Sequence, residues 1–280
     1  MNKSRFQNQI SYIEKTLPDI VCLQEYNTDE VDLVYQKQMQ DLGYDVYFER
    51  RPPKKRAHLL GWIPHQGFKR FLKGSPNLGV SVWWKKELFS VIHNKSYPFD
   101  HKGVDPLNLF RDRGYVSVYL EHVPTTQIIH VVNTHMNIVS ENDRLQQGDE
   151  VLNICGNIAP TFVVGDFNTR RSDERVLWRF RNDGFETFHV GPTMCKSNPY
   201  RDWFNKMVTR RNQTLDHIFF KGAFLVDRQI VDEIYSDHKG LYAKFQAPFI
   251  PHDKSSAAWW LSNYYYPLSC PPSKKNHRKA

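Results

Sequence analysis

Apolar β-type runs in this chain stop at acids, amides and histidines, and that habit limits the folds open to it. DIVCLQE ends on Glu25, VVNTH carries Asn133 and His135, and VVGDFNT carries Asp166 and Asn168. TLDHIFF opens on Asp216, and YSDHKGL sets Asp237 and His238 ahead of a further run. A strand buried in a sheet is rigid, so a polar residue at its end is held in place at the rim of the core. Several such ends brought together make a cluster of carboxylates and imidazoles. Such a cluster can hold a divalent cation and cleave a phosphate ester.

At 280 residues and 40% hydrophobic content, the chain can bury one large core. No apolar run approaches the ~20 residues of a membrane span. The first turns are polar and periodic, without a secretory core. Cys22, Cys155, Cys195 and Cys270 lie far apart with no CxxC pair, so neither a zinc site nor a disulfide framework is indicated. These features place the chain inside the cell, in the cytoplasm, with reduced thiols.

The net charge of +8 fits a polyanionic partner: nucleic acid, a phosphoinositide headgroup or an anionic membrane. Solubility alone explains such a charge as readily. The basic residues cluster, however. Arg50, Arg51, Lys54, Lys55 and Arg56 form one block, followed by Lys69, Arg70 and Lys73; Arg201, Lys206, Arg210 and Arg211 form another. Trp62, Phe68 and Phe71, and Tyr200, Trp203 and Phe204, interleave them, which suits base stacking beside a phosphate track. Loop aromatics can equally pack back onto their own domain.

Apolar spacing predicts a helix over 3–17 stopped at Pro18, a strand over 20–25, a helix through Leu42 ended by Gly43, and a strand over 44–48. Residues 50–76 read as a long loop or insertion. Strands are expected at 78–84, 115–120 and 128–133. A helix follows over 143–158, with Leu145, Leu152 and Cys155 or Ile158 facing inward. A strand over 161–164 runs into Asp166, and Ser172 is expected to cap a helix reaching 182. Strands at 214–220, 224–231 and 240–246 complete the set. Helices and strands mix without strict βαβ alternation, so the fold class is α/β, a layered sandwich rather than a doubly wound sheet. The domain is expected over 1–246, followed by an aromatic and basic tail over 247–280. The WW and YYY clusters of that tail dock on the domain or touch a partner or membrane surface.

PDIVCLQE, NLGVSVWWKKELF, FRDRGYVSVYLEH, VVNTHM, VVGDFNT, TLDHIFF and SDHKGLYAKF, in this order, resemble the endonuclease/exonuclease/phosphatase superfamily. Its members include deoxyribonucleases, abasic-site endonucleases, inositol phosphatases, sphingomyelinases and deadenylases. The resemblance implies a four-layer α-β-β-α sandwich of two mixed sheets flanked by helices. It also implies hydrolysis of phosphoesters with Mg²⁺ or Mn²⁺. It assigns Glu25 to the metal, with Asp237 at or near the same ion. Asp166 and Asn168 would orient and deprotonate the attacking water, although GDFN also reads as an ordinary Asx turn after a strand. His238 would donate to the scissile phosphate, paired with Asp216, and His135 would stabilise the phosphate or assist the leaving group. Asn77, Arg111 and Asn133 are implied as phosphate contacts or support, although Arg111 reads as well as a surface ion pair. His217 stands where the family more often has an aromatic, and strand alternation turns it away from Asp216.

One departure stands out. Members normally begin with a strand carrying an asparagine for the metal site, well upstream of the glutamate. Here Glu25 is preceded by only 24 residues, read as a helix, so that first strand is expected to be absent. The stretch from LQEYNTDE through YFERR, and the close on DHKGLYAKF, resemble the deadenylase-like group that includes nocturnin and the angel proteins. The resemblance therefore implies a nuclease or phosphodiesterase acting on RNA or another nucleic acid. The alternatives are a phosphatase or lipid phosphodiesterase, whose tail would touch an anionic membrane, and a silent module that binds nucleic acid or lipid.

Overall fold

Alternate residues of the strand Leu78–Lys85 face two different cores, and this split sets the layers. Val80, Val82 and Trp84 enter one apolar cluster, while Trp83 enters another with Ile10, Ile13, Tyr35 and Met39. The computed structural model describes residues 3–27, 30–49, 78–101, 113–156, 160–169, 172, 174–194, 212–231 and 236–248. The expectations for the 50–76 insertion, both basic blocks, Asn77, Arg111, Ile158, Cys195 and Cys270 lie outside these residues, as does the tail beyond Pro248.

The elements in chain order are α1 (Lys3–Thr16), β1 (Ile20–Asn27), α2 (Glu30–Asp41), β2 (Tyr44–Phe48), β3 (Leu78–Lys85) and β4 (Phe89–Pro98). β5 (Gly114–His122), β6 (Gln127–His135), α3 (Glu141–Cys155), β7 (Thr161–Asp166) and α4 (Arg175–Asn182) follow. β8 (Glu186–Thr187), β9 (Asp216–Lys221), β10 (Phe224–Val231) and β11 (Gly240–Gln246) end the described fold.

A six-stranded sheet, β4-β5-β6-β7-β9-β8, forms the centre. Its single parallel pair is β6 with β7, joined by the α3 crossover. The opposing layer is antiparallel and comes in two pieces, β1-β3-β2 and β10-β11. β10-β11 lies on the same face of the large sheet, because Phe245 packs its ring on Phe162 of β7 and Phe220 of β9 at 4.9 and 5.0 Å. β1 pairs with β3 alone among the described strands. α1 and α2 cover the outer face of the small sheet, while α3 and α4 cover the large one. The result is the expected α-β-β-α order of layers, with mixed pairing confined to the large sheet.

Three local expectations change. β4 was not anticipated. It is an edge strand whose Val91 is exposed and whose ladder is interrupted by a bulge between Val91 and His93, so its alternation is blurred. α3 begins earlier than expected, at Glu141, with Ser140 capping through its hydroxyl on the Asp143 N–H at 3.1 Å. Its inward face centres on Gly148, Val151 and Cys155, not on Leu145, because Val176 of α4 presses where a Gly148 Cβ would stand, at 2.7 Å.

Ser172 does not cap α4. Glu174 holds that position, its carbonyl accepting from Leu177 and Trp178. The Glu174 carboxylate is drawn inward by Arg144, whose Nε and Nη2 donate to Oε2 at 2.9 and 2.7 Å, so a buried ion pair rather than a side-chain cap sets the helix start.

Candidate active site

Strand register alone assembles half of the polar cluster. His135, the last residue of β6, stands beside Asp166, the last of β7, and Asp166 stands beside Asp216, the first of β9. Paired residues share a face of the sheet. Here it is the face toward the small sheet, since Val131 and Phe162, each four residues back along its strand, enter the intersheet core. The close pairing of β6 and β7 depends on Gly165. At its φ of +145° a Cβ would lie 2.0 Å from the Thr134 carbonyl oxygen.

His238 reaches this row from the turn before β11. Its Nδ1–H donates to Asp216 Oδ2 at 2.8 Å. That bond fixes the tautomer and leaves Nε2 for a substrate oxygen. Ligand atoms of Asp166, Asp216 and His238 all lie within 4.8 Å of one another. Burial works against charge on His238, but Asp216, then Asp166 and Asp237, raise it well above 6.5, so the ring is an imidazolium at neutral pH. Asp237, next in the chain, accepts from the Ser236 hydroxyl at 3.0 Å and stands outside the tight trio.

His135 is tuned in the opposite direction. Burial, then the Arg113 guanidinium, hold it below its ordinary value despite Asp166 and Glu25 nearby. Arg113 Nη1 donates to His135 Nε2, and Asp166 Oδ2 lies 3.3 Å from the same nitrogen. Burial and the guanidinium disfavour a second proton on the ring, and the Asp166 carboxylate favours it. Burial alone would raise Asp166. His135, His238 and the Asn168 N–H outweigh it and hold the carboxyl well below the usual range. The site therefore sets one raised and one lowered histidine around a carboxylate held below its usual range.

Glu25 sits where β1 bulges between Gln24 and Tyr26. Its φ is +55° and its side chain is exposed, close enough for its charge to act on His135. A bulge with a strained non-glycine residue is a device for aiming one side chain out of a ladder.

Asn168 adopts φ +52°, its N–H donating to Asp166 Oδ1 at 2.8 Å and its Nδ2 to the Met136 carbonyl at 3.0 Å. The Asx turn and the placement beside Asp166 are thus one arrangement. Asn133 is fully buried between the sheets. Its Nδ2 donates to the Leu23 and Ser81 carbonyls at 2.9 and 2.8 Å, and its Oδ1 accepts from Gln24 at 2.6 Å. The resemblance offered it as a phosphate contact or as support; the structure places it in the joint that ties β6 to β1 and β3. His217 faces away from Asp216, as alternation requires. It packs against Phe167 and bonds the Thr169 hydroxyl at 2.8 Å, and burial pushes it down to about 4.

Arg113 was missed, although it immediately precedes β5 as the other site residues bound their strands. FRDRGY offers two arginines, and the pairing of Gly114 with His135 brings Arg113 to the site. Divalent-cation chemistry suits the donor set: Asp166 and Asp216 offer hard oxygens beside His238, and Glu25 adds an exposed carboxylate at the rim.

The fold and this geometry bring carboxylates, histidines and an arginine together at the strand ends, and comparison with known proteins gives the family. The profile of the Endonuclease/Exonuclease/phosphatase family matches residues 2–238, and the chain belongs to that family of hydrolases. A probable RNA exonuclease of Schizosaccharomyces pombe is 24% identical over 182 residues, covering 61% of this chain and 31% of that protein. The chain thus spans less than a third of that relative's length. The human Nocturnin catalytic domain superposes with a TM-score of 0.61 at 20% identity, over 88% of this chain and 86% of that one. ANGEL2, described as a 2',3'-cyclic phosphatase, superposes with a TM-score of 0.63 at 18% identity, over 86% and 84%.

No helix among the described residues is long and apolar enough to cross a membrane.

Proposed function

We propose that this chain hydrolyses phosphodiesters of RNA or another nucleic acid by in-line attack of water, using Mg²⁺ or Mn²⁺. The observation that carries the reading is the opposed tuning of His238 and His135 around Asp166, in one row across β6, β7 and β9. Asp166 and Asn168 orient the water, Asp166 as an ionised acceptor. His238 donates from Nε2 to the phosphoryl oxygen on which charge develops, with Asp216 holding the ring. Arg113 and His135 face the same phosphate from the β5–β6 side. Glu25, with Asp237, would hold the cation, which when bound neutralises phosphate charge and orients the ester. Asn77 and Arg111 are proposed as further substrate contacts, residues 1–246 as the domain, and the 247–280 tail as a contact to an anionic surface. The cytoplasm is the proposed compartment.

A ribose 2',3'-cyclic phosphate is the second substrate class, supported by the likeness to ANGEL2 and by two histidines of opposed tuning able to serve opposite oxygens of one ring. The test is a panel of single-stranded RNA, a nucleoside 2',3'-cyclic phosphate, an inositol phosphate and sphingomyelin, each with Mg²⁺ and Mn²⁺. RNA or the cyclic phosphate should turn over, and Glu25→Ala and His238→Ala should abolish it. Equal inertness of wild type and both variants, with RNA binding retained, would leave only a binding module.

A further inference from the structure

Thr193 touches none of the reacting groups, yet the segment it belongs to runs beside the strand that carries Asp216. Met194 and Gln213 exchange both backbone hydrogen bonds at 2.9 Å, and the Thr214 hydroxyl donates to the Gly191 carbonyl at 3.2 Å. Residues 191–194 thus form an antiparallel splint against residues 213–216.

Thr193 is the fully buried centre of that splint. Its Oγ1 accepts from the Leu215 N–H at 3.0 Å and the Asp216 N–H at 3.2 Å. Its carbonyl accepts from the Lys239 N–H at 2.7 Å. One residue is therefore bonded to the backbone of Asp216 and to the residue after His238, on either side of the Asp216–His238 hydrogen bond. The reach extends further, because the Leu215 carbonyl accepts from the Phe167 N–H at 2.9 Å, next to Asp166. A hydroxyl oxygen has two acceptor sites, and here both serve successive backbone donors.

We propose that Thr193 is a positioning residue that holds Asp216 and His238 in their working alignment; the inference rests on the hydrolase reading above. β9 and the turn before β11 belong to different sheets, so strand pairing does not fix their relative position. Thr193 supplies that missing constraint. Valine has the same branched shape and no acceptor, so Thr193→Val removes the link with little change in packing, whereas Thr193→Ser keeps it.

The experiment uses the full chain with bis(p-nitrophenyl) phosphate and Mn²⁺, circular dichroism confirming that each variant is folded. T193V should lower kcat by about tenfold or more with KM within about twofold, since misplacing a reacting group costs turnover rather than binding. T193S should restore kcat to within about threefold, as the surviving acceptor predicts. On an Asp216→Asn background T193V should add less than about twofold, because residues acting as one unit are non-additive. A folded T193V with wild-type kcat overturns the proposal, as does full multiplication of the two losses.

A second readout is independent of turnover. The His238 Nδ1 proton, bonded to Asp216, should resonate far downfield in the wild type and lose that position in T193V. If no substrate turns over, the hydrolase reading falls and this resonance still decides the role of Thr193. An unchanged resonance overturns it. Should T193V not fold, Thr193→Ala read against T193S makes the same comparison.

Discussion

His238 Nδ1–H donates to Asp216 Oδ2 across 2.8 Å, joining the turn before β11 to the first residue of β9. The bond links two sheets that share no ladder and orients the only histidine of the site that is raised.

Asp216→Asn should lower kcat on the order of a hundredfold or more, the usual scale for a disabled acid–base group. Burial opposes the charge on His238, and Asp216, with Asp166 and Asp237, raises it. A step that needs the imidazolium is therefore present at low pH and lost as pH rises through the raised value. Removing the Asp216 charge lowers that value, so the alkaline limb of the kcat profile moves to lower pH. An unmoved limb would separate Asp216 from the titration of His238.

Glu25 combines a φ of +55° with an exposed side chain. A glycine takes that conformation without strain. Glu25→Gly should leave stability unchanged or raise it by up to ~1 kcal/mol in urea titrations. The same variant should lose Mn²⁺ affinity by calorimetry, and with it turnover. A large loss of stability would make Glu25 structural.

Arg144 and Glu174 are both almost fully buried, and Arg144 Nη1 also donates to the Asn137 carbonyl at 3.2 Å. Glu174→Ala would strand a buried guanidinium and should cost about 3–5 kcal/mol in chemical denaturation. Replacing both partners with apolar residues, Arg144→Met with Glu174→Leu, should cost far less. Equal losses for the single and double changes would contradict a penalty from an unpaired charge.

His130 lies buried on the Tyr119 ring at 4.0 Å and bonds Ser117 Oγ at 2.8 Å. Burial, aided by His93, pushes it down to about 3 from 6.5. The unfolded chain binds the proton more readily in that window, so stability is complete above 6.5 and falls as pH drops toward 3. The contribution to the slope is at most ~1.4 kcal/mol per pH unit. His130→Phe should flatten the acid limb of a series of urea melts, whatever it costs at neutral pH. A limb of unchanged slope would assign the acid sensitivity to other groups.

Some of this protein is legible without coordinates. Helix and strand periods place nearly every described element, and the polar strand ends pick out His135, Asp166 and Asp216, because both signals are local. β4 escaped since an edge strand with an exposed Val91 has little alternation to read. Ser172 misled because a serine before a helix looks like a cap, and the pull of Arg144 on Glu174 comes from thirty residues away.

What the sequence alone determined is which polar residues bound buried strands, because chain-local patterning sets where a strand starts and stops. Only the tertiary structure decided what each does. Register set His135, Asp166 and Asp216 in a row, turned Arg113 onto His135, and spent Asn133 on the intersheet joint. Those outcomes depend on hydrogen bonds between residues far apart in the chain, whose partners and protonation exist only once the sheets have packed.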